Sequence, residues 1–179
     1  MNKNIRVIRL ADLSSGIFEH QPAQVITLID PNPKHNDQLA HINHISENVQ
    51  RFEHLSLRFA DEDDANDPDG PKWDHIEKIL EFAKPDADII CTCNGGISRS
   101  SATAIGLLAA RGFTPHQACE IAWINKPNIW PNKLMLSMFD RKFKLDGQLV
   151  QAAMLAKLIP RCMMCGAKVE KGENSCGCW

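Results

Sequence analysis

Residues 87–92 read Ala-Asp-Ile-Ile-Cys-Thr, a run whose apolar residues do not alternate, and it passes directly into Cys93-Asn94-Gly95-Gly96-Ile97-Ser98-Arg99-Ser100. A strand that is apolar on both faces must be covered on both, which places it inside a parallel sheet. The next segment constrains the fold as much. From Arg99 the chain is small and apolar all round, so it reads as a buried helix ending at Gly112. One buried strand feeding one buried helix through a glycine turn is the nucleus of an α/β fold.

The rest of the chain supplies the remaining layers. Residues 7–10 and 25–29 read as strands, the second stopping at Asp30-Pro31. In residues 54–59 Leu55, Leu57 and Phe59 alternate with Ser56 and Arg58, as on a half-buried strand. A helix opening near Pro71 carries Trp73, Ile76, Ile79, Leu80 and Ala83 at helical spacing. Thr114 and Pro115 suit the N-cap and first turn of another helix, running to Ile124. Leu134, Met138 and Phe139 mark a further helix toward Phe143, and residues 148–159 one more before Pro160. Strands alternating with helices predict a mostly parallel sheet. Past Pro160 cysteine, glycine and charge replace aliphatics, so residues 1–147 read as the main domain, 148–160 as a connecting helix and 161–179 as a separate small element.

Composition narrows the partners. Twenty basic against 22 acidic residues leave a net charge of −2, and nothing in that balance recruits nucleic acid or an anionic membrane. No apolar run is long enough for a signal peptide or a membrane span. The seven cysteines are odd in number and four lie beyond residue 161, which suits a reducing compartment better than a disulfide framework. The expectation is a soluble, cytoplasmic protein.

The turn from residue 93 to 100 carries the chemistry. Backbone N–H groups between a strand and a helix N-terminus form a natural site for a tetrahedral oxyanion. Gly95 and Gly96 relax the backbone, and Arg99 offers a planar fork for two phosphate oxygens. The helix N-terminus and the guanidinium both favour a thiolate at Cys93. Nucleophile, anion cradle and cation thus converge in eight residues.

CNGGISRS matches the C-x5-R-[S/T] signature of the cysteine-dependent protein phosphatases and in detail resembles the dual-specificity branch. In that family a general-acid aspartate lies about thirty residues before the nucleophile, at a strand end; Asp61 precedes Cys93 by 32. The family's downstream proline-asparagine pair is similar to Pro131-Asn132, and the resemblance spans roughly residues 5–145. It implies a three-layer α/β/α sandwich and a phosphate-monoester hydrolase, with a phosphoprotein as substrate class. Cys93 would form a phosphocysteine and Asp61 would protonate the leaving oxygen. Asn94, Gly95, Gly96, Ile97, Ser98 and Arg99 would bind the phosphoryl group, and Ser100 would assist release of the thiolate. The family's histidine before the nucleophile is replaced by Thr92, which bears on rate and pH optimum but removes no reacting group.

Competing readings surround these residues. Asp63 and Asp64 rival Asp61, since residues 61–69 hold six acids in nine positions. The same run fails as an EF-hand: aligning Gly70 puts Ala65 at the first ligand and Ile76 at the last. Cys91 could pair with Cys93 on oxidation, but core packing suits both Cys91 and Cys119 better. In the tail, Cys162, Cys165, Cys176 and Cys178 form a C-x2-C-G and a C-x-C pair, the pattern of a structural zinc knuckle. A phospho-binding module without turnover would use the same loop. A sulfurtransferase or arsenate reductase would not need Asp61 and Arg99-Ser100 together.

Overall fold

The computed structural model describes residues 4–31, 40, 42–44 and 52–158. Its centre is a four-stranded, wholly parallel sheet of order β1-β4-β2-β3, with β1 at Ile5–Arg9, β2 at Gln24–Ile29, β3 at Glu53–Arg58 and β4 at Ile89–Cys93. Around it lie the helices α1 (Leu13–His20), α2 (Trp73–Phe82), α3 (Arg99–Ala110), α4 (Pro115–Asn125), α5 (Lys133–Phe143) and α6 (Gln148–Leu158), and a 3-10 turn over Leu10–Asp12 leads into α1. Every residue of β2 and β4 is buried, which is why both lack alternation.

Two cores lie on opposite faces of the sheet, completing the expected α/β/α layering. On one face Ile26, Leu28, Ile89, Cys91 and Cys93 pack with residues of α2 to α6. On the other, Val25, Ile29 and Ile90 pack with Leu13 and Ile17 of α1, Ile42 and Phe52. Helix α3 buries ten of its twelve residues, and at Gly106 an added Cβ would collide with the ring of Phe139. The run of small residues is thus the condition for α5 to lie against α3. Thr114 and Gln117 form a reciprocal capping box at the start of α4. The reading of residues 148–160 as a connector meets a packed helix: α6 buries Leu149, Ala152, Ala153 and Ala156 in the larger core.

Two local expectations are corrected, and one helix carries no reading in the sequence. Helix α1 has no strong sequence signal, because Ser14, Ser15 and Gly16 are poor helix formers; the terminal methyl of Ile8 lies where a Cβ at Gly16 would stand. Helix α2 starts at Trp73, two residues after Pro71. Trp73 itself is 41% exposed, under the guanidinium of Arg141, so only Ile76 and Ile79 form its buried stripe. Among the described residues no helix is long and apolar enough to cross a membrane.

Order β1-β4-β2 means that the chain leaves β1, skips a position, and later returns to fill it with β4. The C-terminal edge of β4 is therefore a topological switch point, where loops diverge and a crevice opens. Cys93 is the last residue of β4, level with Arg9 of β1 and Leu28 of β2.

Beside this edge β2 and β3 are pinned by His54, whose Nδ1 meets Asn43 Oδ1 at 2.9 Å and whose Nε2 meets Thr27 Oγ1 at 2.9 Å. Burial lowers the pKa of His54 from 6.5 to about 4. Between those values the unfolded chain takes up a proton that the folded chain refuses, so this histidine makes folding less stable as pH falls from 6.5 toward 4. Urea midpoints at pH 7 and pH 4.5 should show a smaller drop for His54→Gln than for the parent protein. An equal drop in both would remove His54 as the cause.

Candidate active site

The sheet edge, the loop after it and the first turn of α3 together build one site. Cys93 ends β4, 2% exposed, and its Sγ lies 3.0 Å from Oγ of Ser100, the second residue of α3. Between them the chain turns sharply. The Gly96 amide donates to the Cys93 carbonyl at 3.1 Å and Gly96 adopts φ +62°. An added Cβ there would also come within 2.8 Å of the Arg9 amide nitrogen. Backbone conformation and lack of space both demand glycine at this position. Since its amide closes the turn, Gly96 shapes the loop, while Asn94, Gly95 and Ile97 are exposed around it.

The outer side of the loop is held by its neighbours. Ser101 Oγ donates to the carbonyls of Ile97 and Ser98. The Trp130 amide donates to the Ile97 carbonyl at 2.9 Å and the Asn132 amide to the Ser98 carbonyl at 3.3 Å. These bonds fix the arc that directs the start of α3 at whatever stands above Cys93.

Arg99 is 3% exposed, so its charge has to be compensated within the protein. Its Nη1 donates to the Phe59 carbonyl at 2.6 Å and forms an ion pair with Asp30 Oδ1 at 3.1 Å. The guanidinium carbon lies 6.0 Å from the Phe59 ring centroid, and that ring stacks on His75 at 4.6 Å. Nε is buried without a hydrogen-bond partner among the described residues and stands 3.9 Å from Asp61 Oδ2. A buried, unpaired N–H costs about 1–3 kcal/mol, a penalty that an oxyanion accepting from it removes.

Three acids compete on spacing, and the fold separates them. Asp61 comes to the loop: its Oδ1 accepts from Ser98 Oγ at 2.7 Å and from Asn132 Nδ2 at 3.0 Å. Asp63 instead accepts from the Lys133 and Leu134 amides at the start of α5. Asp64 closes a local turn onto the Asn66 amide. Of the three, Asp61 alone is hydrogen-bonded to the residues of the loop among the described contacts.

One participant escapes a reading of the sequence by motif, and another, Asn132 of the Pro131-Asn132 pair, gains its role only from the fold. Asp30 ends β2 before a proline and looks like ordinary turn chemistry. Asn132, 3% exposed, binds Asp61 and the Glu62 carbonyl through Nδ2 and caps α5 by accepting from the Met135 amide at 2.9 Å. It joins three segments that are distant in the chain. Thr92 is wholly buried and its hydroxyl has no hydrogen-bond partner. Burial pushes the Cys91 thiol pKa up, so Cys91 packs as a neutral core residue, and Cys119 is likewise buried and unbridged. Cys162, Cys165, Cys176 and Cys178 lie outside the described residues; among those described, no cluster of three or more His, Cys, Asp or Glu is arranged to hold a metal.

Comparison with known proteins gives a likeness of fold only. No protein-family model matches the chain, and no curated protein does. Among solved structures, the human tyrosine phosphatase-like serine/threonine/tyrosine-interacting protein is similar with a TM-score of 0.57 at 17% identity, over 81% of this chain and 94% of its own. Human DUSP28 has a TM-score of 0.57 at 15% identity, over 82% and 96%. PTPMT1 has a TM-score of 0.55 at 15% identity, over 86% and 96%. The fold is that of the tyrosine and dual-specificity phosphatases, spanned almost completely.

Asn132 is where the acidic loop and the start of α5 depend on one side chain, while its backbone amide meets the Ser98 carbonyl. Asn132→Ala should lower stability by about 1–3 kcal/mol, through the lost cap and the partners left unpaired. A urea midpoint unchanged from the parent would show that these contacts are dispensable.

Proposed function

We propose that the protein hydrolyses phosphate monoesters through a phosphocysteine, as a phosphatase of the tyrosine/dual-specificity kind. The observation that carries this reading is one constellation at the switch point. A Cys93 thiol lies 3.0 Å from the Ser100 hydroxyl, beside a buried Arg99 whose Nε has no acceptor and an Asp61 tied to the same loop.

In the first step Cys93 Sγ attacks phosphorus, and the S–P bond forms as the bond to the ester oxygen breaks. Asp61 gives its proton to that oxygen. Its Oδ1 is engaged by Ser98 and Asn132, which leaves Oδ2 to carry the proton. In the second step water attacks phosphorus and returns a proton to Asp61. The S–P bond breaks, inorganic phosphate leaves, and Ser100 Oγ–H stabilises the departing thiolate. Throughout, Arg99 and the loop amides other than that of Gly96, which closes the turn, hold the equatorial oxygens, where catalysis of phosphoryl transfer is concentrated.

The substrate class best supported is a phosphoprotein. Loop residues 94–98 carry no charge, and the segment bordering the site, residues 61–69, holds six acids. That surround disfavours a polyanionic headgroup. One neighbour, PTPMT1, has been solved with PI(5)P, which makes a phosphoinositide the rival substrate class.

Hydrolysis of an aryl phosphate across pH 5 to 8 tests the reading. Cys93→Ser should abolish turnover, and Asp61→Asn should lower kcat by about 10²–10⁴-fold and flatten the rate advantage at low pH. A folded protein that binds phosphate but turns nothing over would be a phospho-binding module instead, as Thr92 in place of the family's histidine would suit.

We further propose that Cys162, Cys165, Cys176 and Cys178 hold a structural zinc ion; the C-x2-C-G and C-x-C spacings support this. Metal analysis of the full chain should find one zinc per molecule, lost in a Cys162→Ser/Cys165→Ser variant. Metal-free protein as isolated would refute the knuckle.

A further inference from the structure

Arg99 meets two carboxylates, and they do different things. Asp61 reaches the guanidinium only at 3.9 Å, on the Nε side, and its Oδ1 is taken by Ser98 and Asn132. Asp30 instead meets Nη1, at 3.1 Å, and has no part in the phosphoryl chemistry proposed for the loop. The same Nη1 donates to the Phe59 carbonyl at 2.6 Å. One nitrogen is therefore held by a hydrogen bond to one strand end and an ion pair with the next, while Nε is buried with no hydrogen-bond partner among the described residues.

That division has a geometrical consequence. A guanidinium is a rigid plane, so restraining Nη1 fixes the direction in which the remaining donors point. A hydrogen bond and an ion pair on the same nitrogen restrain the fork more than the hydrogen bond alone. Asp30 is well placed for it. It follows Ile29 at the end of β2, the strand beside the one that bears Cys93, with Leu28 and Cys93 in register. Pro31 disfavours helical backbone at the residue before it, which favours an extended Asp30.

We infer that Asp30 is the positioning residue for Arg99, an assignment that rests on the oxyanion reading of the 93–100 loop: its carboxylate holds Nη1 so that the rest of the fork is presented to the equatorial oxygens of a phosphoryl group above Cys93. Asp30 takes no proton and touches no reacting atom. Its effect is strongest where the oxygens are trigonal-bipyramidal, because a misaligned fork loses most where the fit is most demanding.

Orthovanadate, which mimics that geometry, and inorganic phosphate, which does not, are the probes, each titrated against the full chain. Asp30→Asn keeps the shape of the side chain and removes the charge. It should weaken vanadate binding about tenfold or more and phosphate binding less, and lower kcat on an aryl phosphate more than it changes KM. Asp30→Glu should recover most of the loss. In an Arg99→Lys background, where the fork is gone, Asp30→Asn should add little, because the two residues act as one unit. Melting temperatures verify that each variant is folded. Vanadate affinity unchanged in folded Asp30→Asn, or a full additive loss in the Arg99→Lys background, would overturn the assignment. The phosphatase reading fails separately: a parent protein that binds vanadate but hydrolyses nothing removes the enzyme, and the vanadate titrations still judge Asp30.

Discussion

A guanidinium buried to 3% exposure at the end of a parallel sheet is the element on which the rest of this site depends. Such a charge persists away from water only when the protein surrounds it with acceptors. Here the acceptors are the end of β3, through the Phe59 carbonyl, and the end of β2, through Asp30. Arg99 itself opens α3, and α3 is nearly all buried. The strand ends, the loop and the central helix are thereby drawn to one point. Their packing cannot be altered there without uncovering a charge.

The loop and the acidic segment are built to different tolerances. Gly96 is confined by its φ of +62° and by the Arg9 backbone against it. The acidic segment is longer and more exposed, and hydrogen bonds rather than packing bring it in. Asn132 supplies two of these, to Asp61 Oδ1 and the Glu62 carbonyl, while Asp63 caps the start of α5. A segment rich in like charges would otherwise stay in water. Its attachment to α5 and to Ser98 is what delivers one carboxylate to the site.

Much of the fold is legible in the chain because burial leaves a local imprint. Strands β2 and β4 show as unalternated apolar runs, and α3 as a helix apolar on every side; Thr114-Pro115 announces α4 through its cap. The exceptions share a cause. Helix α1 is made of poor helix formers held by tertiary packing, and Trp73 satisfies helical spacing yet lies outward beneath Arg141. Periodicity reports which residues can share a face, and it does not report which neighbour will cover that face.

The sequence by itself determined the chemistry of the loop: a cysteine at the end of a buried strand, glycines, an arginine and a serine follow one another within eight residues. Their geometry is set by a single turn. Tertiary structure alone decided which acid joins them. Asp61, Asp63 and Asp64 are chemically alike and neighbours in the chain, and they part only because Ser98 and Asn132 take the first, the amides of α5 the second and a local turn the third. It also decided that Asp30, 69 positions before Arg99 in the chain, would stand against it. Short-range motifs are written in order along the chain. A contact between strand ends depends on sheet order and register, which no local pattern of residues encodes.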